Sequence, residues 1–164
     1  LDKLTQCILQ GTLPCKRHHL QSLLESAQHG GCKRRKTHVQ AVQVLRLLTV
    51  HIREKKAMDA LYPQESSEDA PTPCGPPCII FHGKSLEDAE HLFLHAESTK
   101  LFRVIDVTED LATVMAAYWI FNMQYAKGYV NTASLIERLF FNLNVTRLRP
   151  PAITFLNKLG RFLA

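Results

Sequence analysis

Apolar residues fall along the chain in blocks whose spacing changes character near the middle. Through residues 1–62 the period is helical. Leu1, Leu4 and Ile8 share one stripe of a short helix over 1–10, stopped by Gly11 and Pro14. Residues 17–29 place Leu20, Leu23 and Leu24 on one face and end at Gly30-Gly31, a helix stop. The strongest pattern runs from about 37 to 61. There Val39, Val42, Leu45, Leu48 and Ile52, or the competing set Val44 and Leu47, recur every three to four residues. Tyr62-Pro63 closes it.

The periodicity then lapses. Residues 63–77 hold Ser66-Ser67-Glu68-Asp69 and prolines at 63, 71, 73, 76 and 77. Such a stretch buries too little apolar surface to order itself strongly and predicts a mobile linker. Beyond it, Cys78-Ile79-Ile80-Phe81-His82 is a short apolar run ending at Gly83, which predicts a strand. Ser85-Leu86-Glu87-Asp88 has the form of a capped single helical turn. Residues 91–95 and 101–105 flank a polar stretch and predict a β-hairpin; the alternative is one helix over 86–101. Thr108 as N-cap, followed by Glu109 and Asp110, opens a helix over 111–126. Val114, Tyr118, Trp119 and Phe121 make it apolar almost all round, hence central and buried. Gly128 breaks it, and 131–142 forms the next helix with Leu135, Leu139 and Phe140 inward. Pro150-Pro151 begins the last, whose apolar face is Ile153, Phe155, Leu156 and Leu159.

The expected fold class is α+β and mostly helical: about six helices with a small two- to three-stranded sheet. Residues 1–62 make a basic helical half, 63–77 an acidic Pro-rich linker, and 78–164 the sheet and its helices, all packed as one domain. The length of 164 residues suits that reading. Apolar residues at 46 % and charged residues at 21 % are ordinary for a globular chain and exclude a disordered tail or a collagen-like fibre. No apolar run approaches the roughly 20 residues of a membrane span. The chain opens at Leu1 with no initiator Met or signal peptide, which reads as excision from a longer protein.

Net charge is +5, but it lies in blocks. Residues 1–62 carry eleven Lys and Arg against four Asp and Glu. Residues 63–110 carry three against ten, and 111–164 six against one. Five cysteines (Cys7, Cys15, Cys32, Cys74 and Cys78) are an odd number, unlike a secreted disulfide scaffold, and favour reduced thiols in nucleus or cytoplasm.

Two clusters invite chemistry. Cys74-x3-Cys78 and His91-x3-His95 have cysteine–histidine zinc-finger spacing. The apolar core positions of such a finger are here His82 and Asp88, however, and Pro76-Pro77 stiffens the knuckle. Two histidines four residues apart on a strand lie about 13 Å from each other, too far for one ion. No metal and no cofactor are therefore expected. Lys33-Arg34-Arg35-Lys36 is read as a loop preceding a helix, close to the positive end of its dipole, where four cations are unfavourable without an anion. Lys33, Arg34, Arg35 and Lys36 are thus the candidate nucleic-acid or anion contacts.

No Gly-x-Ser-x-Gly, comparable Cys context or Gly-rich phosphate loop occurs, so an enzyme with a small-molecule substrate is not expected. The aromatic run of 118–141 offers Tyr118, Trp119, Tyr125 and Phe141 as candidate protein-interface residues. The expected function is a non-catalytic protein-interaction or self-association module of a larger nuclear or cytoplasmic protein. Its partner would be a protein or a second copy, with no membrane contact. The alternative is a nucleic-acid-binding module using the basic half.

The segment from Ala117-Tyr118-Trp119-Ile120-Phe121-Asn122 through Tyr125-Ala126-Lys127-Gly128, then Asn131-Thr132 and Leu135-Ile136-Glu137 to Phe141-Asn142-Leu143, has a recognisable form. So does Gln40-Ala41-Val42-Gln43-Val44-Leu45-Arg46-Leu47-Leu48, running on to Ile52-Arg53-Glu54. Together, over about 37–143, they resemble the C-terminal region of sterile-alpha-motif-associated proteins abundant in fish and invertebrates. Those carry an aromatic helix, a Tyr-Pro-Lys-Gly-like break and a following helix; this chain has Ala126 at the Pro position. The resemblance implies a mixed α/β interaction region of mobile-element origin. It carries no catalytic residue to this chain.

Overall fold

The computed structural model describes residues 33–65 and 75–163. The helices expected over 1–10 and 17–29, and the central part of the linker with Cys74, lie outside the described residues. Within them the chain is α+β with a helical majority. Helices α1 (Lys33–His51) and α2 (Ala57–Leu61) precede strand β1 (Cys78–His82). A 3-10 turn (Leu86–Asp88) leads to β2 (His91–Ala96) and β3 (Thr99–Val104). Helices α3 (Val107–Ile120), α4 (Val130–Phe140) and α5 (Pro150–Leu163) complete the chain.

Helix α1 begins at Lys33, so residues 33–36 are its first turn and not the loop their charge suggested. Lys and Arg are good helix formers, and sequence charge alone does not mark a boundary. The two stripes that compete in the sequence are both core. Val42, Leu45 and Leu48 are buried, and so are Ala41, Val44 and Leu47, because α1 runs through the middle of the fold. It packs on α2, α3 and the 3-10 turn. His38 fastens that contact: its Nε2 donates to the Leu86 carbonyl at 2.8 Å, and its Nδ1 accepts from the Val107 N–H at 3.4 Å. Glu87 accepts from Arg46 Nε at 3.0 Å and from Gln43 at 3.2 Å.

The expected single helix over 37–61 is two. Arg53 adopts φ 64°, a left-handed conformation. The Glu54 N–H bonds back to Thr49 O at 2.9 Å and the Arg53 N–H to Val50 O at 3.2 Å, the paired bonds of a Schellman ending. Such an ending ordinarily carries Gly or Asn, so an Arg gives no warning of it.

The strands form an antiparallel meander in the order β1-β2-β3. Ile79 pairs with Leu94 and Phe81 with Leu92, putting these side chains on the face that meets the helices. Cys78, Ile80 and His82 lie on the other face, paired with His95, Phe93 and His91. The first linker residues are ordered: the Phe81 N–H donates to Pro63 O at 3.3 Å, the Glu65 N–H donates to Phe81 O at 3.2 Å, and the Glu65 carboxylate sits 2.9 Å from His82. The mobile linker expected from residue 63 onward therefore does not begin before Glu65. The cause is the open edge of β1, which offers partners to passing backbone.

The hairpin between β2 and β3 turns on Glu97 and Ser98, with φ of 50° and 67°. Two consecutive left-handed residues define the tight turn that matches strand twist, normally filled by Asn-Gly. Replacing Glu97 by Asn and Ser98 by Gly should therefore stabilise the fold by about 1 kcal/mol. Thermal denaturation of the double variant checks this.

Helix α3 starts four residues before the predicted 111, and Asp106 rather than Thr108 caps it. Asp106 Oδ1 accepts from the Glu109 N–H at 3.1 Å, and Glu109 reaches back to the Ile105 N–H at 2.7 Å. The helix ends at Ile120, not 126. Asn122 at φ 50° closes it with Met123 N–H to Tyr118 O at 2.9 Å and Asn122 N–H to Trp119 O at 3.2 Å. In α5, Phe155 and Leu159 are buried as expected, whereas Ile153 is exposed.

Candidate protein interface at the Trp119 end

Large apolar side chains crowd the end of α3 and the segment leaving α4. Ile120 is 77 % exposed, Val145 73 % and Trp119 40 %, with Phe121 and Leu143 also exposed. The Trp119 ring meets Phe141 edge-on at 6.0 Å, which joins the two segments.

Their arrangement depends on Glu137, a buried carboxylate on α4. Its Oε1 accepts from the N–H groups of Val145 at 2.9 Å and Thr146 at 3.3 Å. Its Oε2 accepts from the Tyr125 hydroxyl at 3.3 Å. Burial first, and then the Glu137 charge, push the Tyr125 hydroxyl up to about 12, so it remains a donor. One carboxylate thus holds both segments that carry the exposed residues. Segments tied down in this way lose less entropy when they are covered than free ones would.

Behind this end lies a tyrosine cluster. The Tyr118 ring sits 4.9 Å from Tyr125 and 6.1 Å from Tyr129. The Tyr129 hydroxyl donates to Pro77 O at 3.2 Å, so the Tyr118 hydroxyl donates to Tyr129. Burial raises both hydroxyls above the usual phenol range, that of Tyr129 furthest. Tyr118 is 1 % exposed, which corrects its expected place at an interface: its ring is core and its hydroxyl is occupied. Trp119 is at the surface, while Tyr125 and Phe141 are half-buried supports.

A second carboxylate positions α4. Glu54 follows the left-handed Arg53 and reaches the first turn of that helix. Its Oε1 accepts from the Asn131 N–H at 2.9 Å and side-chain amide at 2.7 Å. Its Oε2 accepts from the Thr132 N–H at 2.8 Å and hydroxyl at 2.7 Å. An anion at a helix N-terminus satisfies otherwise orphaned N–H groups and complements the dipole. Glu54→Ala should lower stability by about 2 kcal/mol, with Glu54→Gln between it and wild type because one acceptor oxygen remains. Urea unfolding of the three proteins checks this.

No protein-family model, curated protein or solved structure matches this sequence.

The other sequence candidates are separated in space. The side chains of Lys33, Arg34, Arg35 and Lys36 lie outside what is described, although their backbone forms the first turn of α1. His91 and His95 share a face of β2, but each stands opposite a different β1 residue, His82 and Cys78 respectively. Among the described residues no group of three His, Cys, Asp or Glu side chains is arranged to hold a metal ion. Burial pushes the Cys78 thiol up to about 11, so it is no ready thiolate ligand, and burial lowers His95. A cleft of about 170 Å³ opens between Arg46, Asp59, Gln64 and Phe81. No helix of the described residues is long and apolar enough to cross a membrane.

Sequence reasoning missed Ile120, Leu143 and Val145, and both organising carboxylates. Asn122 and Asn142 were the available signal, since Asn tolerates the left-handed conformation that ends α3 and follows α4.

Proposed function

We propose that the chain is a non-catalytic interaction module of a larger nuclear or cytoplasmic protein, and that it self-associates through the Trp119 end. The observation that carries the reading is the pair of apolar segments held in one geometry by Glu137. One further feature supports it. The partnered buried carboxylate Glu137 and the half-buried Glu54 direct their oxygens to backbone and side-chain donors, a structural use. Exposed cations, Lys127, Arg138, Arg147 and Arg149, flank the apolar residues along the chain.

That rim gives the interface a distinctive salt response. Two copies meeting at this end bring like charges together, and added salt screens their repulsion. Association should therefore tighten as salt rises. Phosphate binding by the basic N-terminal half, the alternative reading, must weaken instead. The helical first turn at residues 33–36, with no acidic residue in it, is what favours that alternative. Ile120→Asp combined with Val145→Asp should abolish association while leaving the thermal midpoint nearly unchanged, because both side chains face water. Sedimentation at several salt concentrations reads both effects.

A further inference from the structure

Strand β3 is a second surface, at the opposite end of α3 from Trp119. Five of its six residues are exposed, and it forms one edge of the sheet. Its outer row of backbone groups has no strand beside it among the described residues. The opposite edge, on β1, already shows what such a row does: it has taken Gln64 as a parallel bridge.

The side chains of β3 are sorted by face. A register shift between Leu94 and His95 sets Lys100 opposite His95 and Arg103 opposite Phe93. The two cations, three residues apart, therefore project from the same face of the sheet. The Lys100 ammonium rests 3.4 Å from the centre of the Phe93 ring, and Arg103 donates to the Glu90 carbonyl at 3.1 Å. Phe102 and Val104 lie on the other face, with Phe102 53 % exposed. Leu101 and Ile105 are exposed as well. No acidic residue occurs within the strand; Glu97 stands in the turn before it. Lys on an edge strand is a common guard against pairing. This edge nonetheless carries two exposed large apolar residues, Leu101 and Phe102, with Ile105 just beyond it and no proline.

We propose that β3 receives an extended segment of another protein, one whose residues alternate between acidic and apolar. Main-chain hydrogen bonds along the outer row would supply register-independent affinity. Carboxylates on one face would meet Lys100 and Arg103, and apolar side chains on the other would cover Phe102. A second copy is the poorer occupant. The β3 of a second copy has no acidic residue to meet Lys100 and Arg103, and like charges brought together across a strand pair destabilise it.

The test uses the full chain and two capped extended peptides, one alternating valine with glutamate, the other valine with lysine. Binding is followed by amide hydrogen exchange. The glutamate peptide should bind at least about tenfold tighter than its lysine twin, and should slow exchange along Thr99–Val104. Its affinity should fall as salt rises, opposite in sign to association at the Trp119 end. Lys100→Glu with Arg103→Glu should invert the preference; both side chains are exposed, so the fold should persist, and the wild-type salt titration tests the same charges if it does not. Equal binding of the twins, protection confined to other residues, or β3 protection that depends on protein concentration without peptide would each overturn the proposal. The last would show a second copy on the edge. None of these outcomes bears on Ile120 and Val145, so this proposal and the self-association reading fail separately.

Discussion

Glu137→Ala should destabilise the protein by about 3 kcal/mol, which lowers the thermal midpoint by roughly 6–12 °C in a chain of this size. The reason is what the substitution leaves behind. The N–H groups of Val145 and Thr146 and the hydroxyl of Tyr125 all point at its oxygens. Removing the acceptor strands these donors in a partly buried site, and an unmade hydrogen bond is more costly than a made one is favourable. The deletion also opens a void where the side chain was buried. Trp119 is the single tryptophan, so its fluorescence reports the local consequence. With Glu137 no longer holding Tyr125 and the segment beyond Phe141, against which Trp119 packs, its emission should shift to the red and its anisotropy should fall even below the unfolding transition. Glu137→Gln keeps one acceptor oxygen and should lose about half as much. An alanine variant as stable as wild type, with unchanged emission, would remove the organising role given to this carboxylate.

The second large effect is a dependence on pH. Asp110 is fully buried, and neither of its carboxyl oxygens has a hydrogen-bond partner. Burial first, and then the charges of Asp106 and Glu109, raise it from 3.8 to about 8. The carboxyl is thus protonated in the fold at neutral pH, and ionised in the unfolded chain above about pH 4. Between about pH 4 and 8 the folded state binds the extra proton, so stability falls as pH rises, by at most about 1.4 kcal/mol per unit. Above about 8 both states are ionised and the slope from this group vanishes. His95 acts in the other direction: burial lowers it in the fold, so its contribution is present above about 6.5 and is lost as pH falls below that. Asp110→Asn removes the first dependence. The variant should be several kcal/mol more stable than wild type at pH 8 and closer to it at pH 5. The nearby Tyr62 hydroxyl, also buried without a partner and raised by burial and by Asp110, should relax in the variant. Parallel pH profiles for the two proteins would contradict the assignment.

How far the sequence could be read follows from which signals are local. Strand β1 and the strands of the β2–β3 hairpin are visible as short apolar runs, and the turn at Ser85 by its capping residue, because each signal lies within a few residues. Ser85 does accept from the Asp88 N–H at 3.3 Å. The core positions of α1 and α4 follow from periodicity. Helix ends were harder, because α1 and α3 stop on left-handed Arg53 and Asn122 where no glycine stands. Asp106 took the capping role from Thr108 for a similar reason: both residue types cap well, and only the backbone decides. The carboxylates were hidden altogether. Glu54 serves a helix 77 residues later, and no one-dimensional pattern carries that distance. The aromatic run stands out in the sequence, but its periodicity does not separate Tyr118 inside from Trp119 outside, since α3 packs on more than one side.

Sedimentation velocity across a concentration series, at low and at high salt, tests the central claim most directly. The wild-type chain should pass from monomer to dimer with a dissociation constant of roughly micromolar order, fitting a small apolar interface. The transition should move to lower concentration as salt rises. The Ile120→Asp, Val145→Asp protein should stay monomeric throughout. A wild-type chain that sediments as a monomer at every concentration and salt, or a dimer that survives both substitutions, would contradict self-association through the Trp119 end.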